Sequence, residues 1–114
     1  MRQTAAKNPD LIENFVKSIV EATYIFKSNK AKSLSALRRY MKGADEEILE
    51  ESYEHTRATL DEAPFPSLQV VKQGLDMLSL QYPQAKQVDA NLIIDPSFVK
   101  RIDDSGFIHG LYKK

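Results

Sequence analysis

His55 and His109 are the residues whose chemistry invites a reading first. His55 lies in Glu51-Ser52-Tyr53-Glu54-His55-Thr56-Arg57, with Glu51 one helical turn before it. A carboxylate and an imidazole at i and i+4 share a helix face and can hold a metal ion together. Two ligands are too few for a metal site, so a surface ion pair is the expectation. His109 has Ser105 four residues earlier, with Asp103 and Asp104 nearby. A hydrolytic triad built from these types would need a shielded pocket and an oxyanion hole. The flanking sequence signals neither. The chain has no cysteine, which removes disulfides, thiolate-bound zinc, iron–sulfur clusters and thiol catalysis. Its four glycines, Gly43, Gly74, Gly106 and Gly110, match no nucleotide fingerprint. The acidic run Asp45-Glu46-Glu47, with Glu50, Glu51 and Glu54, lacks the spaced oxygen ligands and central Gly of an EF-hand loop. It reads as the solvated start of a helix. No catalytic residue, metal ligand or cofactor is assigned, and the chain is expected not to be an enzyme.

The charges say more about packing than about partners. Sixteen Lys and Arg balance sixteen Asp and Glu, so no net field draws nucleic acid or an anionic membrane. Residues 1–43 nevertheless carry nine Lys/Arg against three Asp/Glu, and residues 44–66 carry one Arg against eight Asp/Glu. Two solvated helix faces that attract one another are expected, the alternative being a basic docking patch for a partner. The basic set Lys27, Lys30, Lys32, Arg38, Arg39 and Lys42 lacks aromatic interleaving and a helix-turn-helix pattern, so nucleic-acid binding is not expected. Apolar residues make up 42% of the chain, enough for a folded core. No stretch approaches the length of a membrane span. The segment from Met1 to Lys7 lacks the apolar core of a signal peptide.

The elements that must position these residues are helices. Asn8, Pro9 and Asp10 have the composition of a helix start, since Asn caps free N–H groups and Pro suits the first position. Leu11, Ile12, Phe15, Val16, Ile19, Val20, Ala22, Ile25 and Phe26 follow, covering more than one narrow stripe. A helix this apolar needs cover on two sides. A second helix runs from about Lys30 to Lys42, with Ala31, Leu34, Leu37 and Met41 inward and Gly43 as its stop. Asp45 opens a third, lined by Ile48, Leu49, Ser52, Tyr53, Thr56 and Leu60. Ala63-Pro64-Phe65-Pro66 must be extended, and Phe65 is expected to pin it to the core. Ser67 opens a fourth helix with the stripe Leu68, Val71, Leu75, Leu78 and Tyr82, in which Gly74 is read as the mark of a close helix crossing. The cluster Leu92-Ile93-Ile94 in the connector 84–94 could form a short strand, although it has no evident partner. Asp95-Pro96-Ser97 starts the last helix, with Phe98, Val99 and Ile102 inward, and Gly106 stops it before an apolar turn of Phe107, Ile108, Leu111 and Tyr112. About five helices in one domain, residues 1–114, define an all-α fold.

The order of these segments resembles a known family. Asn8-Pro9-Asp10-Leu11-Ile12-Glu13-Asn14-Phe15-Val16-Lys17-Ser18 is similar to the long helix after the second interlobe crossover in solute-binding proteins of ABC importers, of the nitrate/sulfonate/taurine type. Binding proteins for thiamine pyrimidine precursors belong to the same superfamily. The stretch from Ala44 to Pro66 resembles that family's acidic helix and Pro-x-Pro strap. The stretch from Ile94 to Ile108, with Phe98-Val99 and Ser105-Gly106-Phe107-Ile108, resembles its terminal pattern, and Leu111-Tyr112 fits. The likeness runs from about residue 2 to 113 and consists of packing and capping patterns.

That resemblance implies the helical carboxy-terminal portion of a periplasmic-binding-protein-like α/β fold, lacking its sheets. It implies a share in capturing a small solute, either a sulfonate-, nitrate- or taurine-like anion or a thiamine pyrimidine precursor. It also implies an importer permease as partner, and a periplasmic or extracellular location for the intact protein. The sequence departs from the family in having no strand-rich half, and no family ligand residue carries over to a matching position. The first helix still needs cover, and a homodimer burying Phe15, Ile19 and Phe26 is expected to supply it. The alternative is a free-standing helical interaction module that holds a partner helix between the first and fourth helices.

Overall fold

Apolar residues recur every three or four positions, and the chain answers with helix throughout. The structure, a computed structural model, describes residues 2–113. Among these residues there are seven α-helices, two 3-10 turns and no strand. The helices are α1 (Arg2–Lys7), α2 (Pro9–Ser28), α3 (Lys30–Tyr40), α4 (Glu46–Thr59), α5 (Leu68–Ser79), α6 (Ser97–Asp104) and α7 (Phe107–Tyr112). The 3-10 turns are Pro83–Gln87 and Ala90–Leu92. Five of the helices have eight residues or more and correspond to the five read from sequence. No helix among the described residues is long and apolar enough to cross a membrane.

Local chemistry sets the helix ends. Pro9 occupies the first turn of α2, where its missing N–H costs nothing. Asn29 serves two helices. Its backbone N–H donates to the Ile25 carbonyl at 2.9 Å, and its side chain accepts from the Lys32 N–H at 3.0 Å. The Ser67 hydroxyl accepts from the Val70 N–H at the start of α5. Asn8 and Asp45 hold the positions before α2 and α4 without a side-chain cap bond. Gly106, at φ 76°, takes the left-handed conformation that lets α6 end at Asp104 and α7 begin at Phe107.

Two small apolar clusters hold the helices together, and α2 feeds both. Val20, Ile102 and Ile108 form one, with Val16, Ala63, Phe107, Leu111 and Tyr112 packed around them. Leu34, Leu49 and Tyr53 form the other, joined by Phe26, Leu37, Met41 and Ala44. Tyr24 meets Tyr112 edge-on at 5.1 Å, and Phe26 lies 5.2 Å from Tyr53. Hydrogen bonds tie the helix ends. Lys27 Nζ donates to the Leu60 carbonyl at 2.7 Å, and Arg57 Nε donates to the Lys27 carbonyl at 3.1 Å. The buried Ser33 hydroxyl reaches the carbonyls of Asn29 and Phe26.

A third unit stands beside these clusters. α5 packs on the two 3-10 turns, burying Ala85 and Ala90, with Leu68, Val71 and Leu75 half-buried. Extended chain at Leu60 and Ser67 links it to α4. The molecule is correspondingly open. Its radius of gyration is 17.3 Å, whereas a compact chain of this length has about 13 Å.

Five expectations are corrected. Leu92-Ile93-Ile94 forms no strand, because Leu92 closes a 3-10 turn and there is no neighbouring strand to pair with. Phe65 is 45% exposed, and Ala63 instead fastens the strap to the Val20 cluster. Leu78 and Tyr82 are 47% and 52% exposed, whereas Leu68, Val71 and Leu75 of the same stripe are half-buried. Gly74 marks no close crossing within the chain, since a Cβ added there would meet nothing within 4 Å. Ile48 and Ala31, read as inward, also face solvent.

Ile102 is fully buried where α2, α6 and α7 meet. Ile102→Ala is expected to lower unfolding free energy by about 2–5 kcal/mol in urea titration. Leu80→Ala, at an 86% exposed position, should change it by about 0.5 kcal/mol or less.

Candidate interaction surface

The chemically suggestive residues do not converge. His55 and His109 are both exposed. Among the described residues, no group of three His, Cys, Asp or Glu side chains could hold a metal ion. The Ser105 hydroxyl donates to the Ile102 carbonyl at 2.6 Å and so closes the end of α6. A hollow of about 380 Å³ between α5 and the 3-10 turns is rimmed by Lys72, Asp76, Lys86 and Asp89. Its rim mixes both signs of charge and selects neither anions nor cations.

The opposed basic and acidic segments do meet. Lys30, at the start of α3, sits between Glu50 and Glu54 of α4 at 3.2 and 3.1 Å and lies over the Tyr53 ring. Arg38, at the other end of α3, donates from Nε and Nη2 to both oxygens of Glu46 at 2.8 and 2.7 Å. This fork geometry fixes the angle between the two helices. On α2, Glu13 pairs with Lys17 at 2.9 Å and lies 3.5 Å from Arg101 of α6. These pairs hold the Arg38 guanidinium and the Lys30 ammonium above their ordinary pKa values. They hold Glu46, through its hydrogen bonds from Arg38, and Glu13, through Lys17, below theirs.

Apolar surface remains as the feature that geometry singles out. One face of α2 turns Val16 and Val20 into the core. The neighbouring face turns Leu11, Phe15 and Ile19 to solvent, at 60%, 64% and 43% exposure, with Ser18 and Ala22 beside them. Leu11, Phe15 and Ile19 are spaced i, i+4, i+8 and so form one continuous stripe. Of the residues expected to be covered by a partner, Phe15 and Ile19 lie on this stripe. Phe26 is turned inward against Leu34, Leu49 and Tyr53. α5 carries a second, exposed stripe, distinct from its inner face of Leu68, Val71 and Leu75. Val70 and Met77 are 63% and 73% exposed, on either side of the open Gly74. The available signal was the alternation Val70, Gly74, Met77, offset from Leu68, Val71, Leu75 by most of a half-turn.

The whole surface measures 8704 Å², whereas a compact 13.0 kDa monomer exposes about 6,300 Å². The excess, about 2,400 Å², is on the scale of what one chain contributes to a large obligate interface. Comparison with protein-family models, curated proteins and solved structures finds no match to this chain.

The exposed pairs are worth little singly, but their titration has a definite sign. Glu46 has a depressed folded pKa. Its contribution is therefore full above the unfolded value of about 4.3 and is lost as pH falls through the folded value. Stability followed by circular dichroism should fall as pH drops below about 4, and Glu46→Gln should flatten that acid limb. Lys30, with a raised pKa, contributes fully below its unfolded value of about 10.4 and loses that contribution as pH rises through the folded value, so Lys30→Met should flatten the alkaline limb.

Proposed function

We propose that this chain is the helical part of the solute-binding component of an ABC importer, completing one lobe of a clamshell that captures a small solute. The observation that carries this reading is the uncovered apolar surface on α2 and α5. Helices that complete an α/β lobe are apolar toward a sheet, and a chain with these helices and no strand leaves such faces bare. The order of elements supports the same reading. The resemblance rests on a Pro9-led long helix, an acidic helix at Glu46–Thr59, an extended strap and a terminal helix broken at Gly106, and the chain has each of these elements. In this reading the chain binds and supports and carries out no catalysis. Its outward faces are the surfaces from which a permease partner would be met. The intact protein would act on the periplasmic or extracellular side. The solute would be a small organic anion or a heteroaromatic precursor.

The genomic sequence upstream of the Met1 codon tests this reading. An in-frame extension that encodes a strand-rich chain led by a signal sequence is expected. A stop codon immediately upstream would count against it.

The stripe of Leu11, Phe15 and Ile19 also favours a second reading, a module that self-associates through α2. Light scattering at rising concentration should then give twice the chain mass. Phe15→Gln should return the monomer without loss of helicity, since Phe15 is 64% exposed and outside both clusters.

A further inference from the structure

The two apolar stripes differ in relief, and the difference is complementary. On α5, Val70, Gln73, Gly74 and Met77 stand at i, i+3, i+4 and i+7, the diamond of positions that forms a hole for a facing side chain. Gly74 has no side chain to fill the floor of that hole, and the floor is open, since nothing lies within 4 Å of where its Cβ would be. On α2, Phe15 is the bulkiest and most exposed member of its stripe. Phe15, Ser18, Ile19 and Ala22 form a second diamond at the same spacing, with small residues at two corners. A Phe15 knob fits the Gly74 hole, and a Met77 knob fits the hole over Ser18 and Ala22. Apart from these residues each face is charge-poor, so bringing them together buries no unpaired ion.

The two stripes are not in contact within one chain. α2 packs on α3, α6 and α7, while α5 packs on the 3-10 turns, and both stripes face solvent. We infer that α2 of one copy receives α5 of a second copy, and the reverse, so that a two-fold dimer makes the same contact twice. This deepens the self-association reading and rests on it. Two arguments select a second copy as occupant. Each chain carries both halves of the complementary pair, so reciprocal exchange closes the assembly without a third component. The excess surface of about 2,400 Å² per chain also exceeds the roughly 800 Å² that each partner contributes to a standard stable interface, so the exposed area suffices for a dimer.

The absence of native cysteine makes the test direct. Ser18→Cys and Gln73→Cys chains, which keep Phe15 and Met77 in place, are prepared separately, mixed, and treated with a short bismaleimide that bridges two thiols. Covalent dimer in the mixture, with little in either chain alone, is the expected result. Gly74→Leu, which fills the hole and favours helix, should keep the fold and weaken dimerisation by about tenfold or more in sedimentation. Dimer formed by Ser18→Cys alone would place α2 against α2. That result would overturn the exchange while leaving self-association standing. A monomer at all concentrations would overturn both. So would a monomer whose radius of gyration in X-ray scattering drops to about 13 Å, because α5 would then have folded onto its own α2.

Discussion

Helix α2 is apolar around more of its circumference than the rest of the chain can cover. Val16 and Val20 take the contacts offered by α6 and α7, and Phe26 takes those offered by α3 and α4. The supply of apolar surface then ends, and Leu11, Phe15 and Ile19 are left facing water. The other features of the fold follow from this shortage. Two clusters of three buried residues replace one continuous core, and α2 is the beam that joins them. Removing apolar area from water supplies the main folding drive, so a chain that leaves this much of it bare is under pressure to be covered.

Electrostatics plays a smaller and more geometric part. The basic half and the acidic half of the chain are brought together as α3 against α4, with Lys30 and Arg38 each engaging glutamates across the gap. Exposed pairs of this kind add little stability singly. A two-point attachment at both ends of α3 does set its orientation. In doing so it closes Leu34 over Leu49 and Tyr53.

The arm made by α5 and the 3-10 turns is the least integrated part. Its own contacts bury Ala85 and Ala90, which are small side chains and release little apolar area from water. The strap that leads to it is fastened by Ala63, and the bulkier Phe65 stays in solvent. An arm with a shallow internal core and an apolar outer face leaves that face uncovered by the rest of the chain.

Much of the fold was legible in the sequence because helix ends are local chemistry. Asn29, Gly43, Ser67 and Gly106 each act within three or four residues of themselves, so their positions fixed where helices start and stop. The charge blocks also foretold the α3–α4 pairing, since opposite charge on adjacent helices needs only a short turn to meet. Faces were less legible. Periodicity shows that α2 has two apolar sides and that Leu78 and Tyr82 share the stripe of Leu75, but it cannot say which side finds a neighbour. That depends on where α6 and α7 return, some eighty residues later in sequence (about the span from α2 to α6). The sequence by itself determined an all-helical chain with too much apolar surface. The tertiary structure decided that Phe26 lies inside and Phe15 outside, because burial depends on distant segments meeting and not on any local pattern.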